Sequence, residues 1–360
     1  MDISIITMTK TYNYGATMQA YALQSFIESL GHKCSLIDHT GFEGTHRTIQ
    51  LTDLSRANLY KLPYKFQLER GYASFERFYA EHMNMTRRYD SLESLCAEPP
   101  ASDAFVTGSD QVWNPRDAMY RKFFLEFVPD GKKKISYAAS IGDAFIPEEK
   151  AKYYREQLKK FDSISVREAQ GKKLIEGLTD KEIHVNCDPV FLLDINKWKS
   201  LEKPVSRIKK PYILCYMIYT PLWFSDWMKK VKKKTGLDVV FVGLDGFRRI
   251  YYDKYVRCAG PSELLWLVDN AEFVVSSSFH GNAFSVLYGK KLISLPDPKR
   301  PDRIHNLLSM FGLEKCELFE NNPMKEPYTI DYKLISQTIS EQRDIAERYL
   351  SGALTGDKRL

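Results

Sequence analysis

Apolar and polar positions switch repeatedly between a period of two and a helical period along this chain. Ile3 to Thr7 alternates β-branched and apolar residues, a polar loop follows from Thr9 to Gly15, and Met18, Tyr21, Ala22 and Phe26 recur at helical spacing. After Gly31, Cys34 to Ile37 reads as a second strand ending at Asp38, which predicts a βαβ unit with a parallel pair. The aromatic-rich, charged stretch from Asp53 to Tyr89 predicts helix, an excursion over a cleft. Short strands then recur at Ala104 to Thr107, Lys134 to Ala138 and Ser163 to Val166. Each ends in a polar group: Gly108-Ser109-Asp110-Gln111, Ala139-Ser140-Ile141-Gly142 and Arg167-Glu168. In an open parallel sheet, ligands bind at that carboxyl edge.

A loop-like, basic connection with Pro189, Pro204 and Pro211 separates this series from a second one. The second series predicts strands at Tyr212 to Tyr216, Asp238 to Val242, Phe273 to Ser276 and Lys291 to Leu295. Helices are expected at Trp223 to Lys234, Ser262 to Asn270 and within Ser277 to Tyr288. The expected fold is α/β, two Rossmann-like domains in a GT-B-like arrangement with a cleft between them. Residues 1–200 form the first domain, 205–325 the second, and a helix in 330–360 crosses back to the first. A length of 360 residues suits two cores of ordinary size.

Composition narrows the class. Hydrophobic residues make up 44% and charged residues 27%, the balance of a folded protein and not of a disordered one. No apolar run approaches the roughly 20 residues of a membrane span, and the first residues lack the basic, apolar and small-residue segments of a signal peptide. The expected location is cytoplasmic. Six cysteines without a CxxC pair or a histidine partner predict reduced thiols and no zinc site. The net charge of +6 is concentrated partly in Lys132 to Lys134 and in Lys229, Lys230 and Lys232 to Lys234. Such runs are solvated faces or contacts for an anionic partner: a phosphorylated substrate, a pyrophosphate-linked acceptor or the inner membrane leaflet. Nucleic acid is not expected, because no binding motif accompanies the charge.

Candidate chemistry falls in the loops after strands. Asn13, Tyr14 and Gly15 stand where a helix begins and its free N–H groups can bind an anion or sugar hydroxyls; the alternative is a capped helix start with nothing bound. Ser276-Ser277-Ser278-Phe279-His280-Gly281 places hydroxyls and one imidazole at another helix start, a set suited to phosphate or carboxylate and to proton transfer near neutral pH. The alternative there is a histidine held by packing. Arg167 and Arg303, the latter in the turn-rich segment 298–303, offer planar forks for carboxylate and phosphate, or surface ion pairs. Asp110 is a candidate base or a turn-capping residue. GxGxxG, GxxxxGK[ST], GxSxG and Asp-x-Asp are all absent.

These segments resemble the polysaccharide pyruvyl transferase family. The resemblance runs in order through TYNYGATMQAYALQSFIESLGH, VTGSDQVWNP, KKISYAASIG, ISVREAQGKKLI, VNCDPVFLL, SSSFHGNAFSVLYGKKLISLP and PDRIHNLLSMFGL. It implies a GT-B-like fold, phosphoenolpyruvate as donor, a sugar diol as acceptor, and a cyclic pyruvate ketal plus phosphate as products, in surface or capsular polysaccharide synthesis. It implies no cofactor and no metal. It places Arg167, His280 and Arg303 at the donor site, with Ser277 and Ser278 as further donor contacts. His280 is the expected acid, Asp110 the expected base, and Asn13, Tyr14 and Gly15 the acceptor side. Many members carry arginine before the motif histidine where this chain has Phe279, so anion-binding charge is expected from Arg303 or Lys291. The acceptor is expected to be a sugar or oligosaccharide, with a lipid-pyrophosphate carrier and peripheral membrane contact as further expectations. Competing readings are a metal-independent GT-B glycosyltransferase using a nucleotide sugar and a non-catalytic carbohydrate-binding protein.

Overall fold

Five short strands run parallel in the first half of the chain: β1 (Asp2–Ile6), β2 (Lys33–His39), β3 (Met85–Tyr89), β4 (Ala104–Thr107) and β5 (Lys133–Ser136). Their order in the sheet is β3-β2-β1-β4-β5. The computed structural model describes residues 1–39, 62–117, 120–243, 250–298, 302–319, 327 and 329–356. Its central strands are near-continuous apolar runs because helices cover both faces of such a sheet; Ile3, Ile5, Ile6, Phe105 and Val106 are all buried. Past β5, bridges from Ile135 to Ser163 and from Ala139 to Val166 bring in β6 (Ile164–Val166), which pairs in parallel with β7 (Ile183–Val185). Trp113 anchors the core on this side, stacked on Phe124 with ring centroids 5.1 Å apart and met edge-on by Phe161.

The second series repeats the plan. β8 (Tyr212–Tyr216), β9 (Asp238–Gly243), β10 (Lys254–Arg257), β11 (Phe273–Ser276) and β12 (Lys291–Ser294) are parallel in the order β10-β9-β8-β11-β12. The helix Phe224–Thr235 buries Phe224, Trp227 and Met228, spaced i, i+3, i+4, against this sheet and turns its lysines to solvent. Both sheets therefore have Rossmann order, and in each the strand order reverses between the first and fourth strands. The α/β class and the two Rossmann-like halves agree with the sequence expectation.

The chain divides into two units. One takes the described residues of Met1–Thr45, Tyr79–Leu193 and Gln337–Leu360, the other those of His46–Phe78 and Asp194–Ser336. The described residues 62–78 thus group with the second unit, although they fall within the 1–200 boundary drawn from sequence. Part of the predicted 53–89 excursion, residues 53–61, lies outside the described residues. The remainder is the helix Leu62–His82 followed by the edge strand β3, where helix was expected through Tyr89. The helix Tyr332–Thr355 ties to the first unit through Arg343, whose guanidinium donates to the Phe191 and Leu193 carbonyls at 2.7 and 2.5 Å, and through Tyr349, which donates to Ser136 O at 2.7 Å. No described helix is long and apolar enough to cross a membrane.

Candidate functional site

At the reversal in the first sheet, the loops after β1 and β4 are held by a buried polar network. Thr7 donates its hydroxyl to Ser109 O at 2.9 Å and accepts from Gln19 Nε2 at 2.9 Å, while Gln19 Oε1 accepts the Ser109 N–H at 3.0 Å. His39, at the end of β2, faces the Thr7 carbonyl with Nε2 at 2.8 Å, and Lys122 Nζ lies 2.9 Å from its Nδ1. A carbonyl only accepts, so Nε2 carries the proton and Nδ1 receives the lysine. Burial pushes the Lys122 ammonium down to about 8, against the opposing charge of Asp117.

Asp110 sits next in this loop with φ of +66°, and Lys10 (+53°), Tyr12 (+49°) and Ala138 (+46°) share the left-handed region in the loops after β1 and β5. Non-glycine residues seldom adopt it, and such strain concentrates where a fold serves a ligand. Asp110 Oδ1 accepts the Gln111 N–H at 2.9 Å and its carbonyl accepts from Ser140 N at 2.9 Å, which leaves Oδ2 without a protein bond among the described residues.

Arg167 follows β6 and is buried with two carboxylates. Its Nε donates to Glu168 Oε1 at 2.9 Å and its Nη1 to Asp188 Oδ2 at 2.8 Å. Glu168 Oε1 also accepts from Ser140 Oγ at 2.7 Å, and Asp188 Oδ1 caps the turn at Val190 N at 3.1 Å. Burial opposes the guanidinium charge, yet Glu168, Asp188 and Asp110 outweigh it and hold Arg167 above its ordinary value. The fork expected to clamp a donor is thus already matched by two carboxylates of its own unit, and it joins the ends of β5, β6 and β7. Asn13 is likewise engaged: it caps the helix Tyr14–Ser29, its Oδ1 accepting from Gly15 N and Ala16 N at 2.9 and 3.2 Å. Tyr14 and Gly15 are buried inside that helix, not in the loop before it.

In the second unit the reversal lies between β8 and β11, and the serine run stands there. Ser276 Oγ donates to Tyr216 O at 2.8 Å, joining the two strand ends. Ser277 Oγ accepts from Ile218 N and Tyr219 N, both at 2.9 Å, and donates to Tyr219 O at 2.7 Å. That uses the one donor and both lone pairs of a hydroxyl, so Ser277 holds the loop after β8 and has no capacity left for a phosphate. Ser278 caps the helix Phe279–Leu287 through Gly281 N at 3.3 Å. Gly281 is required by close approach, since a Cβ there would run into Ser276 Oγ and the Tyr216 ring.

His280 is in the first turn of this helix, where the helix dipole favours an anion. Its ring meets Phe279 edge-on with centroids 5.1 Å apart, and the Arg303 guanidinium lies over the Phe279 ring at 5.7 Å. The aromatic residue that replaces arginine before the histidine therefore carries an arginine on its face. Lys291 does not join them. It opens β12, whose parallel direction puts its first residue at the opposite edge of the sheet from His280, and its Nζ pairs with Glu272 at 2.7 Å. Among the described residues no group of three or more His, Cys, Asp or Glu side chains is arranged to hold a metal ion.

The model of the polysaccharide pyruvyl transferase family matches residues 13–297. The chain belongs to that family. No curated protein matches its sequence. Among solved structures, the chain is similar to an alpha-glucosyltransferase in complex with UDP-glucose and DNA containing an abasic site, at 13% identity and a TM-score of 0.51, over 98% of this chain and 92% of that one. It is also similar to the UDP-GlcNAc 2-epimerase of Methanocaldococcus jannaschii, at 11% identity and a TM-score of 0.49, over 96% and 93%. Identities this low speak to fold alone.

In this chain, sequence reasoning gave a role to Arg167 but none to Glu168 and Asp188, its partners. The signal was present: an acid follows the arginine directly, and Asp188 stands in the VNCDPVFLL segment. His39 and Lys122 carried no such signal, since their pairing depends on how the chain folds.

Proposed function

We propose that this family member transfers the pyruvate unit of phosphoenolpyruvate to two hydroxyls of a sugar, forming a cyclic ketal and releasing phosphate, in the synthesis of a surface or capsular polysaccharide. The observation that carries the reading is the placement of His280: a buried imidazole in the first turn of a helix, at the reversal point of its sheet, beside an arginine held on Phe279. An enol phosphate reacts once its methylene carbon is protonated, which gives a cationic centre that a hydroxyl can attack. His280 is the acid for that step, worth about 10²- to 10⁴-fold. The first hydroxyl bonds to the central carbon, phosphate leaves with the bonding electrons, and the second hydroxyl closes the ring. The two hydroxyl protons balance the one added to carbon and the one carried off by phosphate.

Arg303 is the anion-binding residue in this reading, since Lys291 faces away and Arg167 is matched internally. Arg167 instead positions the loops after β5 and β6. Asp110, with an uncommitted oxygen, is the base toward the acceptor hydroxyl; Asn13 and Gly15 shape the acceptor side through the capped helix start. The reaction requires no cofactor.

The test is a pair of measurements on the intact chain. Phosphoenolpyruvate should raise its unfolding temperature and UDP- or GDP-sugars should not. His280→Ala should keep phosphoenolpyruvate affinity within about tenfold while turnover falls at least about 10²-fold. Stabilisation by a nucleotide sugar instead, or full turnover in His280→Ala, would overturn the assignment.

A further inference from the structure

One of the lysine runs builds a site of its own. In the first unit Lys132, Lys133 and Lys134 line a cavity of about 420 Å³ together with Asp130, Lys160 and Asp162. It opens where β5 begins, the sheet edge opposite the one that carries Asp110 and Arg167. Three of the four ammonium groups have a place in the fold. Lys133 Nζ bonds to Leu354 O near the C-terminal end of the helix Tyr332–Thr355, where a cation complements the helix dipole. Lys160 Nζ donates to Gln157 Oε1 at 3.1 Å, and Lys132 Nζ lies 3.9 Å from Asp103.

Lys134 is different. The residue is 9% exposed, and its ammonium makes no hydrogen bond or ion pair among the described residues. Asp162 shares the cavity but turns Oδ2 to the Lys134 backbone N–H at 2.8 Å. Burial pushes the Lys134 ammonium below its ordinary value and the charge of Lys160 adds to the effect, with Asp130, Asp162 and Glu126 opposing. A half-buried ammonium beside a like charge and without a partner is costly, and an apolar side chain would suit the position as well. Such an arrangement is relieved when an anion binds.

We propose that this cavity binds a phosphate group, held by Lys134 and Lys160, of either free phosphate or a small phosphorylated sugar. The volume exceeds that of a bare oxyanion and falls within the range of small-molecule sites. Three ammonium groups besides Lys134 line it against two carboxylates, so the surplus is positive and suits a doubly charged ligand. The site is independent of the transfer reaction, since it lies on the other edge of the sheet from every residue assigned to that chemistry in this unit.

The test is thermal unfolding of the intact chain at constant ionic strength, with inorganic phosphate, glucose 6-phosphate or chloride. At roughly tenfold the dissociation constant, one site should raise the midpoint by about 3–6 °C over chloride. Lys134→Met should unfold at an equal or higher temperature without anion, because a half-buried charge is gone, and should lose that gain. Lys160→Met, on an exposed residue, should lose most of it too, which separates this site from phosphate held by Arg303. A gain from glucose 6-phosphate alone assigns a phosphorylated sugar, and an equal gain from both assigns free phosphate. No gain over chloride in the unaltered chain, or a gain that survives both substitutions, overturns the proposal.

Discussion

Replacing Arg167 with methionine separates a positioning role from a ligand-binding one. The side chains involved are almost wholly inside: Arg167 is 3% exposed, Asp188 0% and Glu168 8%. Methionine roughly fills the stem but leaves two carboxylates facing each other without a cation. Removing one partner of a buried ion pair costs about 3–5 kcal/mol, because the stranded charge stays behind. Each kcal/mol lowers the midpoint by about 2–4 °C in a unit of this size, so Arg167→Met should unfold about 6–20 °C earlier. Urea unfolding would measure the same loss as a free energy, and Asp188→Asn added to Arg167→Met should return part of it by removing one stranded charge. Arg167→Lys should recover less than the original fork, since one ammonium cannot hold both carboxylates at their present positions. A loss below about 1 kcal/mol, accompanied by weakened phosphoenolpyruvate binding, would refute the reasoning and return Arg167 to the donor site.

Lys122 should leave a signature in the pH dependence of stability. Its folded value is held down to about 8 against an ordinary 10.5, so below pH 8 both states are charged and the cost of burial is present in full. As pH rises from 8 to 10.5 the folded lysine is neutral while the unfolded one still binds a proton, and the intact chain should gain up to about 3 kcal/mol relative to Lys122→Met. Unfolding curves of the pair at pH 7 and pH 10 would show it; a constant difference contradicts the buried pairing with His39. Gly281→Ala should cost about 1–3 kcal/mol and reduce turnover, because the added methyl displaces Ser276 or Tyr216 beneath the His280 turn; unaltered stability would mean the helix start tolerates a wider approach. Activity should persist in EDTA, and loss on chelation with recovery on magnesium or manganese would point to a metal-dependent transferase.

The central strands were legible because burial on both faces leaves an unbroken apolar signature: Phe273–Ser276 and Tyr212–Tyr216 stand where the pattern puts them. Two of the outer strands were not. Met85–Tyr89 and Lys254–Arg257 carry charges because an edge must resist pairing with other chains, and that erases the alternation. At the candidate site the fold engages several of the side chains that the motifs single out. Ser277, Asn13 and Arg167 look available in sequence, whereas the fold spends Ser277 on three backbone bonds, Asn13 on a helix cap and Arg167 on two carboxylates. Whether a polar side chain is already satisfied depends on groups far away in sequence, as the pairing of Arg167 with Asp188 illustrates. Lys291 failed for a simpler reason: it begins its strand, and parallel strands gather ligands at their far ends.

Mass spectrometry of the acceptor decides whether the chain forms a ketal from phosphoenolpyruvate. A panel of oligosaccharides with vicinal or 4,6-related hydroxyl pairs, free and carrier-linked, would be incubated with the enzyme and phosphoenolpyruvate. The expected result is a product heavier than its acceptor by pyruvic acid less one water, released phosphate in equal amount, and both formed at least about 10²-fold more slowly by His280→Ala. An acceptor that gains a hexose from a nucleotide sugar, with no such mass increase from phosphoenolpyruvate across the panel, would contradict it.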